Sequence, residues 1–336
     1  MTTTKSPAAM KTASDVMVTR LTTVTPETDV ASAIRLLVKQ NISGMPVVDD
    51  QGQYIGVFSE KSCLRALMHT AASLRDQNRP LAQAADFMQT QLFRLRPHEN
   101  IFEAIGALLK HRISGAPVVD DDGFLLGVFS EKDSMSVLIK GAYDQLPGAE
   151  ISAFMNPDRG RIISEETDLL TIADMFVTTH YRRLPVVRDG VLQGQISRRD
   201  VLRNSRLLSS IVRDILAFAR GGAPAGGLPT AAGGSSADSE AAREQLSATS
   251  VARFMDSEAK TITEEVDLLT IAQLFFTTPY RRLPVIRERQ LIGQVSRRDV
   301  LAAVYQWIEP SAAERRPTGL YLSGVLSEGD GMPAMD

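Results

Sequence analysis

Ala31, Ile34, Leu37 and Val38 fall on one side of a helical projection, and the polar run Thr25-Pro-Glu-Thr-Asp just before them supplies capping residues. This spacing predicts an amphipathic helix ending near Asn41. Two short apolar runs follow, Met45-Pro-Val-Val and Tyr54-Ile-Gly-Val-Phe58, separated by a turn containing Gly52. They read as the two strands of a hairpin. Ser59 then opens a second helix through about Ala72. With an extended segment ahead of the first helix, the unit is strand, helix, strand, strand, helix.

The unit occurs four times. Ile42-Ser-Gly-Met-Pro46-Val-Val, Ile113-Ser-Gly-Ala-Pro117-Val-Val, Tyr181-Arg-Arg-Leu-Pro185-Val-Val and Tyr280-Arg-Arg-Leu-Pro284-Val-Ile each precede an apolar strand. A tetrapeptide closes each strand: Ser59 to Ser62, Ser130 to Asp133, Ser197 to Asp200 and Ser296 to Asp299. An internal repeat defines the folding unit before any residue is interpreted. Helices on one side of a small sheet make an α/β layer that cannot cover both faces alone, so the units must pair.

The predicted boundaries are 14-75, 84-145, 151-218 and 250-308 for the four repeats. The Gly/Ala/Ser/Pro-rich stretch at 221-247 has nothing to bury and reads as a flexible linker. The stretch at 309-336 carries Pro310, Pro317 and several glycines and reads as a disordered tail. Similarity sorts the copies. The first two share Gly-Val-Phe-Ser-Glu-Lys, and the last two share Asp-Leu-Leu-Thr-Ile-Ala, Tyr-Arg-Arg-Leu-Pro-Val and Ser-Arg-Arg-Asp-Val-Leu. That grouping predicts one module from the first two repeats and a second from the last two.

Composition narrows the function classes. With 43% hydrophobic residues, 23% charged residues and a net charge of -3, the 336-residue chain is globular and has no overall field for nucleic acid. No apolar run approaches the roughly 18 residues of a membrane span, so no membrane partner is expected. The single Cys63 excludes an internal disulfide, and the start Met1-Thr-Thr-Thr-Lys-Ser-Pro lacks the apolar core of a secretory signal. A cytoplasmic protein is the expectation. Cys63 itself sits at the start of an apolar-faced helix and reads as a small packed residue. The four histidines are isolated from ligand partners, which argues against a structural metal. Once four repeats are counted, no stretch remains for a catalytic domain.

Two features carry candidate chemistry. Ser at the start of a helix with an acidic residue three positions later forms a capping box, and the same helix start offers N–H groups and positive potential to an anion. The chain also has 29 Arg against 8 Lys, 21 of the Arg after residue 151. The guanidinium fork matches phosphate and carboxylate oxygens. Arg182, Arg183, Arg281 and Arg282 precede a strand in the last two repeats, and Arg198, Arg199, Arg297 and Arg298 lie within their tetrapeptides. Ser43-Gly44 and Ser114-Gly115 hold the first of these slots in the other two repeats, with Lys61 and Lys132 in the second.

The order strand, helix, Ser-Gly-x-Pro-Val-Val, Gly-h-h-Ser-x-x-Asp, helix resembles the CBS domain, named for cystathionine beta-synthase, over about residues 14 to 308. His111-Arg-Ile-Ser-Gly-Ala-Pro-Val-Val and Arg182-Arg-Leu-Pro-Val are also similar to segments of the gamma subunit of AMP-activated protein kinase. The resemblance implies four CBS repeats paired as two pseudo-twofold Bateman modules, whose clefts bind adenosine nucleotides. It assigns Asp133, Asp200 and Asp299 to ribose hydroxyls, Ser130, Ser197 and Ser296 to the sugar and phosphates, and the basic residues Arg182, Arg183, Arg199, Arg281, Arg282 and Arg298 to phosphates. Ser43 and Ser114 occupy the slots that Arg182 and Arg281 fill in the other two repeats. Ser62 departs from the pattern, so at most three clefts are expected to be competent.

What the resemblance implies is a non-catalytic regulatory sensor of AMP, ADP or ATP, the nucleotide arriving with or without Mg2+. Ligand state would pass to an unidentified protein partner. A module made of the last two repeats would be the tighter polyphosphate site. The alternative is a ligand-independent scaffold whose CBS modules assemble homo-oligomers.

Overall fold

The computed structural model describes residues 11–73, 82–143, 150–204 and 248–308. The linker at 221-247 and the tail at 309-336 fall outside them. Each repeat contributes a first helix, an antiparallel hairpin and a second helix. In the first repeat these are α2 (Val30–Lys39), β1 (Gly44–Val48), β2 (Tyr54–Ser59) and α3 (Glu60–Ser73), preceded by the short α1 (Ala13–Val16). The second has α4 (Ile101–Lys110), β3 (Gly115–Val119), β4 (Leu125–Ser130) and α5 (Glu131–Tyr143). The third has α6 (Leu169–Thr178), β5 (Arg183–Arg188), β6 (Val191–Ser197) and α7 (Arg198–Asn204), and the fourth α8 (Leu268–Thr277), β7 (Arg282–Arg287), β8 (Gln290–Ser296) and α9 (Arg297–Ile308).

The first helices start where a side chain replaces the missing acceptor for free backbone N–H groups. Asp29 accepts from the Ser32 N–H at 2.8 Å, Asn100 from Phe102 at 2.8 Å, Asp168 from Leu170 at 2.9 Å and Asp267 from Thr270 at 2.9 Å. Asn41, at φ 54, is left-handed just past the end of α2 and turns the chain into β1. The predicted leading strand shrinks to a single parallel bridge in each repeat: Val24 to Val47, Leu95 to Val118, Ile163 to Val186 and Ile262 to Val285. In the first two repeats a proline, Pro26 or Pro97, follows two residues later and cannot extend the ladder.

The segment ahead of each repeat docks on a different repeat. Backbone hydrogen bonds join Val18 to Gln294 at 2.9 and 3.0 Å and Asp256 to Val57 at 2.8 and 2.9 Å, tying the first repeat to the fourth. Gln89 joins Gln195 at 2.9 and 3.0 Å, and Asn156 joins Val128 at 2.8 and 3.0 Å, tying the second to the third. Hairpin edges add the bridges Gln53 to Gln290 and Phe124 to Val191. The modules are therefore repeats 1 with 4 and 2 with 3, which corrects the pairing of adjacent halves read from similarity. Similar sequence marks repeats in equivalent positions; it does not mark repeats that touch.

Helices join the modules. The helix α3 packs on α6 and α7, and α5 packs on α8 and α9. One apolar core thus runs through repeats 1 and 3 and another through 2 and 4. Phe58, Phe129, Phe176 and Phe275 are fully buried in them, each contributing roughly 1.5–3 kcal/mol relative to exposure. Cys63 lies in the first core with no exposure, and burial pushes its thiol well above the usual value.

Candidate functional site

The three Ser-x-x-Asp tetrapeptides form the same closed loop at a helix start. Ser130 donates to Asp133 Oδ2 from its N–H at 2.9 Å and from its hydroxyl at 2.6 Å. The corresponding distances are 2.8 and 2.6 Å for Ser197 to Asp200, and 2.7 and 2.7 Å for Ser296 to Asp299. In each loop both bonds fall on Oδ2, leaving Oδ1 as an acceptor. At the first repeat the Ser59 and Ser62 hydroxyls stand 3.4 Å apart, and Ser62 adds only a 3.4 Å backbone contact. No carboxylate stands at the fourth position there.

Successive residues of an extended strand point to opposite sides, so each Arg-Arg pair reaches two different repeats. Arg183 donates to the Ser114 hydroxyl, within the module of repeats 2 and 3, while Arg182 pairs with Glu60 at 3.3 Å, across to repeat 1. Arg282 donates to the Ser43 hydroxyl at 2.6 Å, within the module of repeats 1 and 4, while Arg281 pairs with Glu131 at 3.1 Å, across to repeat 2. Two dipeptides therefore tie all four repeats together at one place.

Glu60 and Glu131 were not singled out from the sequence, yet each binds two arginines. Arg199 donates to Glu60 Oε1 from Nε at 3.2 Å and from Nη2 at 3.0 Å. Arg298 Nε is 3.8 Å from Glu131 Oε1, too far for a hydrogen bond, and both its Nε and Nη2 are buried without a partner. A legible signal existed: Ser-Glu-Lys in the first two repeats and Ser-Arg-Arg in the last two place opposite charges at equivalent positions. Desolvation first, then the nearby Arg281, pushes Arg182, Arg183 and Arg282 down to about 10. They remain cations at neutral pH, so six arginines face two glutamates.

The other tetrapeptide arginines serve a different purpose. Arg297 donates to the carbonyls of Phe275 at 2.9 Å and Thr278 at 3.1 Å, satisfying the end of α8, and lies 5.8 Å from the Phe275 ring centre. Arg198 donates to Thr179 at 3.3 Å beside the Phe176 ring. Both are buried helix caps, so of the four tetrapeptide arginines only Arg199 and Arg298 join the cluster. Nor do the last two repeats form their own polyphosphate module, because their arginines interleave with Ser43, Ser114, Glu60 and Glu131 of the first two.

Comparison with protein families matches the CBS domain at residues 13–69, 84–138, 151–206 and 251–306. The uncharacterized protein MJ1225 of Methanocaldococcus jannaschii is 25% identical over 198 residues, 56% of this chain and 68% of that protein. Its solved structure, described as a proposed archaeal homologue of the AMP-activated kinase gamma subunit, covers 86% of this chain and 98% of its own at 20% identity and a TM-score of 0.36. The structure of CBSX2 in complex with AMP is 29% identical and covers 36% of this chain and 93% of its own, at a TM-score of 0.33. Inosine-5'-monophosphate dehydrogenase of M. jannaschii is 25% identical over 125 residues, 23% of that enzyme. Among the described residues no helix is long and apolar enough to cross a membrane. The chain belongs to the CBS domain family, with four copies of the domain.

Proposed function

We propose that the chain is a non-catalytic regulatory sensor of adenine nucleotides, AMP, ADP or ATP. The nucleotide binds in clefts between paired repeats, with or without Mg2+. The free Oδ1 of Asp133, Asp200 or Asp299 accepts from the ribose hydroxyls, since a carboxylate can accept from both members of a diol. Ser130, Ser197 and Ser296 flank the sugar, and Arg182, Arg183, Arg199, Arg281, Arg282 and Arg298 receive phosphate. The cleft at Ser62 lacks the carboxylate and is the weakest. Ligand state is passed to a protein partner through the packing of the two modules, which requires different affinities for two packings.

The observation that carries this reading is the gathering of six arginines around Glu60 and Glu131, with Arg298 Nε and Nη2 buried and without hydrogen-bond partners. A buried donor without a partner is costly, and a phosphate oxygen would satisfy it. Thermal unfolding with each nucleotide tests it: at 100 times its dissociation constant a true ligand stabilises by about 2.7 kcal/mol. The absence of any shift with AMP, ADP, ATP, S-adenosylmethionine or a cyclic dinucleotide would favour an assembly scaffold.

A further inference from the structure

Glu60 and Glu131 occupy equivalent positions at the starts of α3 and α5, and both are buried, at 7% and 2% exposure. Their partners are not equivalent. Glu60 receives three hydrogen bonds from two arginines, Arg182 and Arg199, and the latter also donates to the Asn41 side chain. Glu131 receives hydrogen bonds from Arg281 alone, at 3.1 and 3.5 Å, while Arg298 stands off with two buried donors unused. One half of the arginine cluster is thus closed by its glutamate and the other is left partly open.

We propose that Glu131 is an anion gate: a resident carboxylate holding the place a phosphate oxygen would take between Arg281 and Arg298, and so setting how much negative charge a ligand needs to enter. The inference rests on the phosphate role given above to these arginines. A phosphate arriving there meets Arg298 with donors already available, and it competes with Glu131 for Arg281. Repulsion between phosphate and carboxylate at this short range penalises a monophosphate proportionally more than a polyphosphate, whose extra charge draws on the neighbouring Arg282 as well. Glu60, with both arginines hydrogen-bonded, bridges repeats 1 and 3 and yields last. Because Glu131 also bridges repeats 2 and 4, its release loosens that contact between modules and leaves the other intact.

Inorganic triphosphate and AMP, titrated calorimetrically into the full chain, separate this from the nucleotide reading. Glu131→Gln keeps the shape and removes the charge, and it should tighten triphosphate binding about tenfold. Glu60→Gln should gain less than about threefold, Arg199 being held also by Asn41. Discrimination between ATP and AMP should shrink in Glu131→Gln. Triphosphate affinity unchanged or weakened in Glu131→Gln, or a larger gain in Glu60→Gln, overturns the gate. Should Glu131→Gln not fold, Arg298→Ala in the wild-type background should lose triphosphate binding, and retention overturns the proposal. Triphosphate responding as expected while no adenine nucleotide binds would defeat the nucleotide reading alone.

Discussion

Arg282 of the fourth repeat donates to the Ser43 hydroxyl of the first at 2.6 Å, across 239 positions of sequence. Its counterpart, Arg183 to Ser114, joins the third repeat to the second. A double-mutant cycle on thermal stability should give a coupling of about 1 kcal/mol between Arg282→Ala and Ser43→Ala. Arg282→Ala combined with Ser114→Ala should couple less, because the Ser114 hydroxyl accepts from Arg183 instead. Coupling to Ser114 in place of Ser43 would reverse the pairing of repeats.

The exchanged segments come close enough to exclude a side chain. A β-carbon at Gly56 would lie 2.8 Å from the Asp256 carbonyl oxygen, and one at Gly127 would lie 2.8 Å from that of Asn156. Backbone on both sides prevents easy relief. Gly56→Ala and Gly127→Ala should each cost about 1–3 kcal/mol, read as a lower denaturant midpoint. Wild-type stability in both variants would mean that the docked segments are not held as described.

The repeat unit was legible because its signals are local: capping residues, helical spacing and hairpin turns all lie within about 50 residues of one another. Ser43 and Ser114 could be picked out for the same reason, since the repeat register places them in the slots that Arg182 and Arg281 fill, and each accepts a hydrogen bond from an arginine of another repeat. The pairing of repeats was not. All four present the same kind of edge and the same kind of helix, so the choice rests on contacts between positions far apart, such as Val18 with Gln294. Arg198 and Arg297 misled because an arginine in a repeated motif looks the same whether it faces a ligand or the carbonyl end of a helix. Burial decides between the two, at 6% and 7% exposure.

Asp200→Asn and Asp299→Asn separate capping from ligand binding. Asparagine retains an acceptor for the serine donors, so the helix start should lose less than about 1 kcal/mol. The charge that takes the ribose diol is removed. Nucleotide affinity measured by calorimetry should fall about tenfold or more in the double variant, and unchanged affinity would end the ribose assignment.

Acid should destabilise the first helices of repeats 3 and 4. Burial opposes ionisation of Asp168 and Asp267, but bonds from the Thr171 and Thr270 hydroxyls and from backbone N–H groups outweigh it, and both carboxyls sit below the usual 3.8. A carboxyl lowered on folding adds stability that is present above its unfolded value and lost as pH falls through the folded one. Asp133 runs the other way, since burial pushes it up and its ionisation works against the fold. Denaturant midpoints measured at pH 6 and pH 3 should therefore drop less in Asp168→Asn/Asp267→Asn than in wild type. An equal drop in both proteins would refute the assignment.

Docking of the 12–18 segment on the fourth repeat also has a consequence for the order in which the protein can be made. Repeats 2 and 3 are neighbours in the chain and can associate as soon as residue 204 has left the ribosome. The first repeat, synthesised earliest, must wait for Asp256 and Gln294 before its hairpin edge and leading segment are satisfied. Closing so long a loop costs little more than closing a short one, yet it comes last and slowly. Of the four repeats, the one made first is thus the last to be completed.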